Sequence, residues 1–357
     1  MAIVFSKDIS STVWLNAYNN NVVTFNSDSI KTAMKCTITI GGNAIEITPN
    51  PSGVFKYNLK ELLKALINNN FIDSVAQTST SVGDGSLAKT YTVTFLITFS
   101  DTTTETTNKT IYVIKRVEQI GKGTSYLVAN STLLNDTNVV IWNDLPFDLT
   151  VLGLSNFTID VNSNTSSVVP TQLATRVLLG NYDPYRRLLN AGYTIERNEC
   201  IDSNLTDPIP YGYSTIRVGG NIINVEKRSD CGVQYLKWFN VEKGYYAYWG
   251  FNSIYKDNLS VKTRDTFNVD YENLSETYNT ELTSGKGADL TRNLITENLN
   301  NDNRDLLNSL FTSPKVELYQ DGIFQSVVLL DGTFQTENTK VITHKLNISI
   351  RLNHYTL

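Results

Sequence analysis

Cys231–Phe251 reads CGVQYLKWFNVEKGYYAYWGF, and how this stretch is read decides the fold. Eight of its twenty-one residues are aromatic: Tyr235, Trp238, Phe239, Tyr245, Tyr246, Tyr248, Trp249 and Phe251. They form two short runs on either side of the polar, turn-prone Val241-Glu242-Lys243-Gly244. That is the pattern of a β-hairpin, because aromatic side chains suit a pleated, half-buried surface and a Gly-containing loop turns the chain. So much aromatic area is stable in water only when packed against something. The claimants are the chain's own core, a ligand, or another subunit.

Working outward, most of the chain carries the same two-residue alternation. Cys36–Ile40, Gly41-Gly42-Asn43 and Ala44–Ile47 form a hairpin around a Gly-rich turn, and Lys89–Phe99 alternates and returns along Thr110–Lys115. Further strands are predicted at Val139–Trp142, Phe157–Val161, Thr215–Val218, Ile222–Val225, Val316–Tyr319, Phe324–Leu330 and Val341–Leu352. Helical spacing appears in two places. Leu59, Leu62, Leu63, Leu66 and Ile67 follow Asn58 as a cap, and Ile295, Leu299, Leu306, Leu307, Leu310 and Phe311 suggest one or two helical pieces ending before Pro314.

TITIGGNAIEI (Thr37–Ile47) and TIRVGGNIINV (Thr215–Val225) share a hairpin, its Gly-Gly-Asn turn and its alternation, an echo at about half the chain length. The fold expected is mainly β: two β-sandwich-like modules with a few short α-helices and a connecting region. The N-terminal module spans 1–120 and the connecting β-rich region 121–200, starting near Gly121-Lys122-Gly123 and including the polar Asn162–Ser167. The C-terminal module with the aromatic hairpin spans 201–357.

Composition narrows function. With 357 residues, 41% hydrophobic, 18% charged and a net charge of -5, the chain supports a normal core. It has no basic excess for neutralising phosphates, which argues against specific nucleic-acid binding. Cys36, Cys200 and Cys231 are too few and too scattered for a disulfide framework or a tetrahedral zinc site. The N-terminus reads without a signal peptide, and no apolar run approaches the ~20 residues of a membrane span. Asn-x-Ser/Thr sequons, as at Asn108 and Asn347, follow from the Asn- and Thr-rich composition.

Motifs for chemistry are sparse. His344 and His354 lie ten residues apart, roughly 33 Å along an extended strand and too far to share a metal. Gly121-Lys122-Gly123-Thr124-Ser125 lacks the spacing of a phosphate loop, and Asp302 and Asp305 lack the pattern of a calcium loop. We therefore expect no catalytic, cofactor-binding or metal-binding residues, and a chain that is not an enzyme. The eight aromatics named above are the candidate site, as core on one face and subunit interface on the other, since Tyr and Trp anchor interfaces. A carbohydrate-stacking platform is the alternative use of Trp238, Trp249 and the tyrosines.

The run Leu236–Asn240 followed by Gly244–Phe251 resembles a signature in virion tail proteins of phages infecting Bacteroidetes, chiefly the crAss-like phages. Pro49–Asp73 and Ser313–Tyr355 fit the same resemblance. It implies a non-enzymatic virion structural protein, a tail hub or ring component that joins portal, tail tube or fibres. It also implies a ring-forming homo-oligomer, made in the host bacterial cytoplasm and located in the virion tail. No catalytic or cofactor residue carries over. A glycan- or receptor-binding tail appendage and a tail-borne polysaccharide-degrading enzyme are the alternatives.

Overall fold

The computed structural model describes residues 2–9, 14–67, 70–73, 75, 79–117, 133–134, 138–143, 145–161, 164–179, 209, 212–229, 232–263, 266–268, 281–283, 285–334 and 344–352. Cys200, Cys231, His354, Gly121–Ser125 and about half of the connecting region lie outside them. Among the described residues the chain is mainly strand, with twenty-six strands and two helices, as the alternation predicts. No helix among them is long and apolar enough to cross a membrane. The chain divides into two compact units: Met1–Ser229 with Asn240–Tyr246, and Asp230–Phe239 with Ala247–Leu357.

The first unit begins with a sandwich. One sheet has the order β1 (Ile3–Lys7), β3 (Val22–Ser27), β6 (Phe55–Asn58), and the other β2 (Trp14–Asn16), β9 (Thr104–Ile114), β8 (Ala88–Phe99), β4 (Ala33–Ile40), β5 (Asn43–Ile47). From Tyr91 to Phe99, every second residue of β8 is buried, so Tyr91, Val93, Phe95, Ile97 and Phe99 face the core. Phe25 binds the layers together, stacked on Phe55 at 5.2 Å and edge-on to Phe95 at 5.0 Å. Helix α1 (Lys60–Leu66) adds Leu62 and Leu63 to this core. Its cap position is Leu59 rather than Asn58, although the Asn58 carboxamide oxygen still accepts the Lys60 N–H at 3.1 Å.

Two further sheets complete this unit. One runs β10 (Leu133–Leu134), β12 (Asp148–Leu152), β15 (Ala174–Leu178), β7 (Ser81–Gly83). The other runs β11 (Asn138–Trp142), β17 (Asn221–Arg228), β16 (Gly212–Val218), β13 (Phe157–Val161), β14 (Asn164–Val168). The 212–228 hairpin, placed by sequence in the C-terminal module, thus pairs with strands from the stretch read as a connection, and the unit boundary falls at Ser229. Its Gly219-Gly220 turn matches Gly41-Gly42 in conformation, with φ of 57° and 82° against 55° and 84°. Both are two-residue turns with positive φ at each position, which Gly adopts without strain.

The second unit holds a seven-stranded sheet in the order β19, β18, β24, β25, β26, β23, β20, and a separate two-stranded sheet of Thr266–Asn268 and Glu281–Thr283. Here β18 is Gln234–Asn240, β19 Tyr245–Phe251, β20 Lys256–Thr263, β23 Lys286–Leu299, β24 Val316–Gln320, β25 Ile323–Phe334 and β26 His344–Arg351. The residues of β25 up to Val327 pair with β24, and those from Val328 onward pair with β26, with a bulge between Leu329 and Asp331. Such a bulge bends a strand and increases its twist. The chain after β19 comes back to β23, where the Asn252 N–H donates to the Ile295 carbonyl at 2.9 Å. Ile295 and Leu299, read from sequence as helical, belong to β23. The helix starts only after Asn298 turns the backbone at φ 56° and Asn300 caps Asn303 N at 2.8 Å, giving α2 (Asn301–Phe311).

Candidate functional site

The aromatic hairpin is built as the sequence predicts, and its four-residue turn explains why. The Gly244 N–H donates to the Asn240 carbonyl at 2.8 Å, and the Asn240 side chain accepts the Lys243 N–H at 3.1 Å. Gly244 sits at φ +77°, and a Cβ there would stand 2.9 Å from the Lys115 carbonyl oxygen, so both conformation and space require glycine.

Gln234–Phe239 and Ala247–Phe251 of the hairpin belong to the second unit and line its interior. The Trp238 indole N–H donates to Ser309 Oγ on α2 at 2.9 Å, and the Trp249 indole N–H donates to Thr296 Oγ1 on β23 at 3.1 Å. Buried indole donors are thereby satisfied. On the alternate face Tyr235 stacks on Tyr248 at 5.9 Å, and Phe324 lies 6.4 Å from Tyr235, 6.2 Å from Tyr248 and 5.0 Å from Tyr319. Lys237 reaches across this face with its ammonium 4.1 Å from the Phe324 ring centre and 2.7 Å from Glu317.

The turn and the strand residues beside it, Asn240–Tyr246, belong to the first unit. The Val117 N–H donates to the Val241 carbonyl at 2.9 Å and Arg116 Nε to the Glu242 carbonyl at 2.6 Å. Tyr246 places its ring 4.8 Å from the guanidinium carbon of Arg176 and donates its hydroxyl to the Phe71 carbonyl at 3.4 Å. Arg176 is fully buried on β15. It pairs with Asp148 through Nε at 2.9 Å and Nη2 at 2.7 Å, and with Asp73 through Nη1 at 2.5 Å. Asp84 stands 3.5 Å from Nη1 and accepts both the N–H and the hydroxyl of Ser86. Paired in this way, a planar guanidinium is matched to carboxylates on several sides, which makes its burial tolerable.

All eight aromatics picked out by sequence are therefore brought together, and each is buried, with Tyr245 the most exposed at 6%. The sequence reading left one face of the hairpin for another subunit, whereas the chain covers both faces itself. A strand enclosed on both sides has no face left to alternate toward solvent. The Arg176 cluster escaped the sequence reading because its members are spread from Asp73 to Arg176 and to Tyr246, with no local spacing to mark them. Among the described residues no group of three or more His, Cys, Asp or Glu is arranged to hold a metal. Close to the cluster, Tyr18 stacks on Phe71 at 6.1 Å, and burial pushes its hydroxyl up to about 12. Burial likewise pushes the Cys36 thiol up to about 12.

No family model matches the chain, and no curated protein matches it. Among solved structures it is similar to fibronectin(III)-like modules of Clostridium thermocellum CbhA, at 10% identity over 64% of this chain and 95% of that one, with a TM-score of 0.21. A 1.5-MDa bacterial ice-binding adhesin aligns at 10% identity over 83% and 92%, with a TM-score of 0.20. A Bacteroides ovatus mixed-linkage glucan utilization protein in complex with a heptasaccharide aligns at 10% over 95% and 74%, with a TM-score of 0.19. Scores this low assign neither a fold family nor a function.

Proposed function

We propose that this chain is a non-enzymatic structural component of a bacteriophage virion, placed in the tail as a hub or ring subunit. The observation that carries the reading is the role of the segment that bears the resemblance. In Leu236–Asn240 and Gly244–Phe251 every aromatic side chain is buried, so the signature is one of architecture. The glycan-stacking alternative asks for open indole faces, and Trp238 and Trp249 have exposures of 1% and 0%.

Quantitative mass spectrometry of density-purified tailed particles tests this reading. The chain is expected in several copies per particle, in fixed ratio to the portal. Its absence from particles that infect normally would overturn the proposal.

A further inference from the structure

Among the described residues the seven-stranded sheet ends on β20, and every residue from Asn252 to Val261 is exposed. The direction of its backbone groups follows from the ladders beside it. The Leu352 N–H donates to the Leu290 carbonyl, so the even-numbered residues of β23 turn toward β26. In an antiparallel ladder the groups alternate in direction, so the odd-numbered residues of β23 bond to β20. Their partners across that ladder are Lys256, Asn258, Ser260 and Lys262. Asp257, Leu259, Val261 and Thr263 therefore aim their N–H and C=O groups away from the sheet, along its open edge.

That edge also carries the apolar side of the sheet outward. Opposed residues share a face, which places Ile348 and Leu294, both buried, in one stripe with Leu290 and Leu259. At the edge Leu259 is 61% and Val261 54% exposed. A long, open, partly apolar edge is a template for another strand.

We infer that β20 pairs antiparallel with β20 of a second copy of this chain, about a twofold axis at Ser260. Only a register with an even sum keeps the apolar faces of both copies on one side, because side chains alternate with a period of two. The register centred on Ser260 uses all four outward residues. It sets Leu259 against Val261 of the second copy and Asp257 against Thr263, with two hydrogen bonds in each of the four pairs. A shift of two residues either way leaves three such outward pairs instead of four. The joined sheet carries Leu290, Leu259, Val261 and Ala288 as one stripe across the contact. The contact is isologous and independent of the virion reading, which rests on other residues.

Amide hydrogen exchange resolved to single residues, on the full chain over a range of concentrations, tests it alongside sedimentation. In dilute solution the amides of Asn258, Ser260 and Lys262 exchange slowly, while those of Leu259 and Val261 exchange fast. With rising concentration Leu259 and Val261 slow by about tenfold or more as dimer forms. Leu259→Pro removes only an edge donor, and Leu259→Lys puts a charge into the stripe. Both are expected to keep the Asn258 and Ser260 protection and to sediment as monomer. A chain that stays monomeric with fast Leu259 and Val261 amides at every concentration would overturn the inference. So would a dimer that survives both substitutions, or edge protection that appears only when a different protein is added.

Discussion

The ring of Tyr246 lies over the guanidinium of Arg176, 4.8 Å from ring centre to carbon, while Asp73, Asp84 and Asp148 surround the same cation. A strand residue of the aromatic hairpin and a mid-strand arginine seventy positions earlier thus form one buried group. Replacing Tyr246 by Ala removes the ring from over the cation and is expected to lower stability by about 3 kcal/mol. Tyr246→Phe keeps the ring, loses one long hydrogen bond to Phe71, and costs less than about 1.5 kcal/mol. Urea unfolding of the two variants separates them.

Arg176→Met leaves carboxylates buried without their principal cation, and the loss expected is about 3–5 kcal/mol. Adding Asp73→Asn and Asp148→Asn to that variant recovers part of it, because the remaining groups then carry less charge. A triple variant no more stable than Arg176→Met would show that packing of the long side chain, rather than charge, is what the site needs.

Gly244→Ala meets two obstacles, the positive φ and the Lys115 carbonyl 2.9 Å from the new methyl. Gly42→Ala meets only the first, since nothing lies within 4 Å of that position. The Gly42 variant is expected to cost about 1–2 kcal/mol and the Gly244 variant distinctly more. Thermal melts of the pair measure the difference directly.

The four tryptophans, Trp14, Trp142, Trp238 and Trp249, have exposures of 1%, 4%, 1% and 0%. The purified chain is therefore expected to show blue-shifted emission that acrylamide quenches weakly at any protein concentration. Emission that is red-shifted in dilute solution and shifts to the blue on assembly would instead place the indoles at an interface.

Alkali provides a fifth handle. Both Cys36 and Tyr18 are held neutral by burial, with folded values of about 12 against ordinary values of 9.0 and 10.0. For such acids the folded state keeps its proton longer than the unfolded one. The stability that burial of the neutral forms gives is complete below about pH 9, and it is lost as pH rises from there toward 12. Chemical denaturation at pH 8 and pH 11 should show a lower midpoint at the higher pH. Cys36 is expected to react with a thiol reagent at pH 8 only after unfolding.

What could be read from sequence was local. Alternation from Tyr91 to Phe99, the Gly-Gly turns and the Leu62-Leu63 face each hold their signal within a few residues, and each fixes an element. Where two local signals competed, pattern alone misled: Ile295 and Leu299 fit a helical stripe with Leu306, and only the turn at Asn298 and the cap at Asn300 separate strand from helix. The partnership of Thr215–Val225 with Val139–Trp142 is set by pairing across some eighty residues, for which hairpin chemistry has no marker. The hairpin itself was legible as a hairpin. Its burial on both faces was not, because Ser309, Thr296, Phe324 and Arg176 reach it from distant parts of the chain.

The central claim is assembly into a virion tail, and electron microscopy of purified tailed particles at side-chain resolution tests it most directly. The account predicts repeated copies about the tail axis, each with the Gln234–Phe251 hairpin buried inside its own subunit and Tyr246 against Arg176. A tail whose density is fully accounted for by other proteins would contradict it.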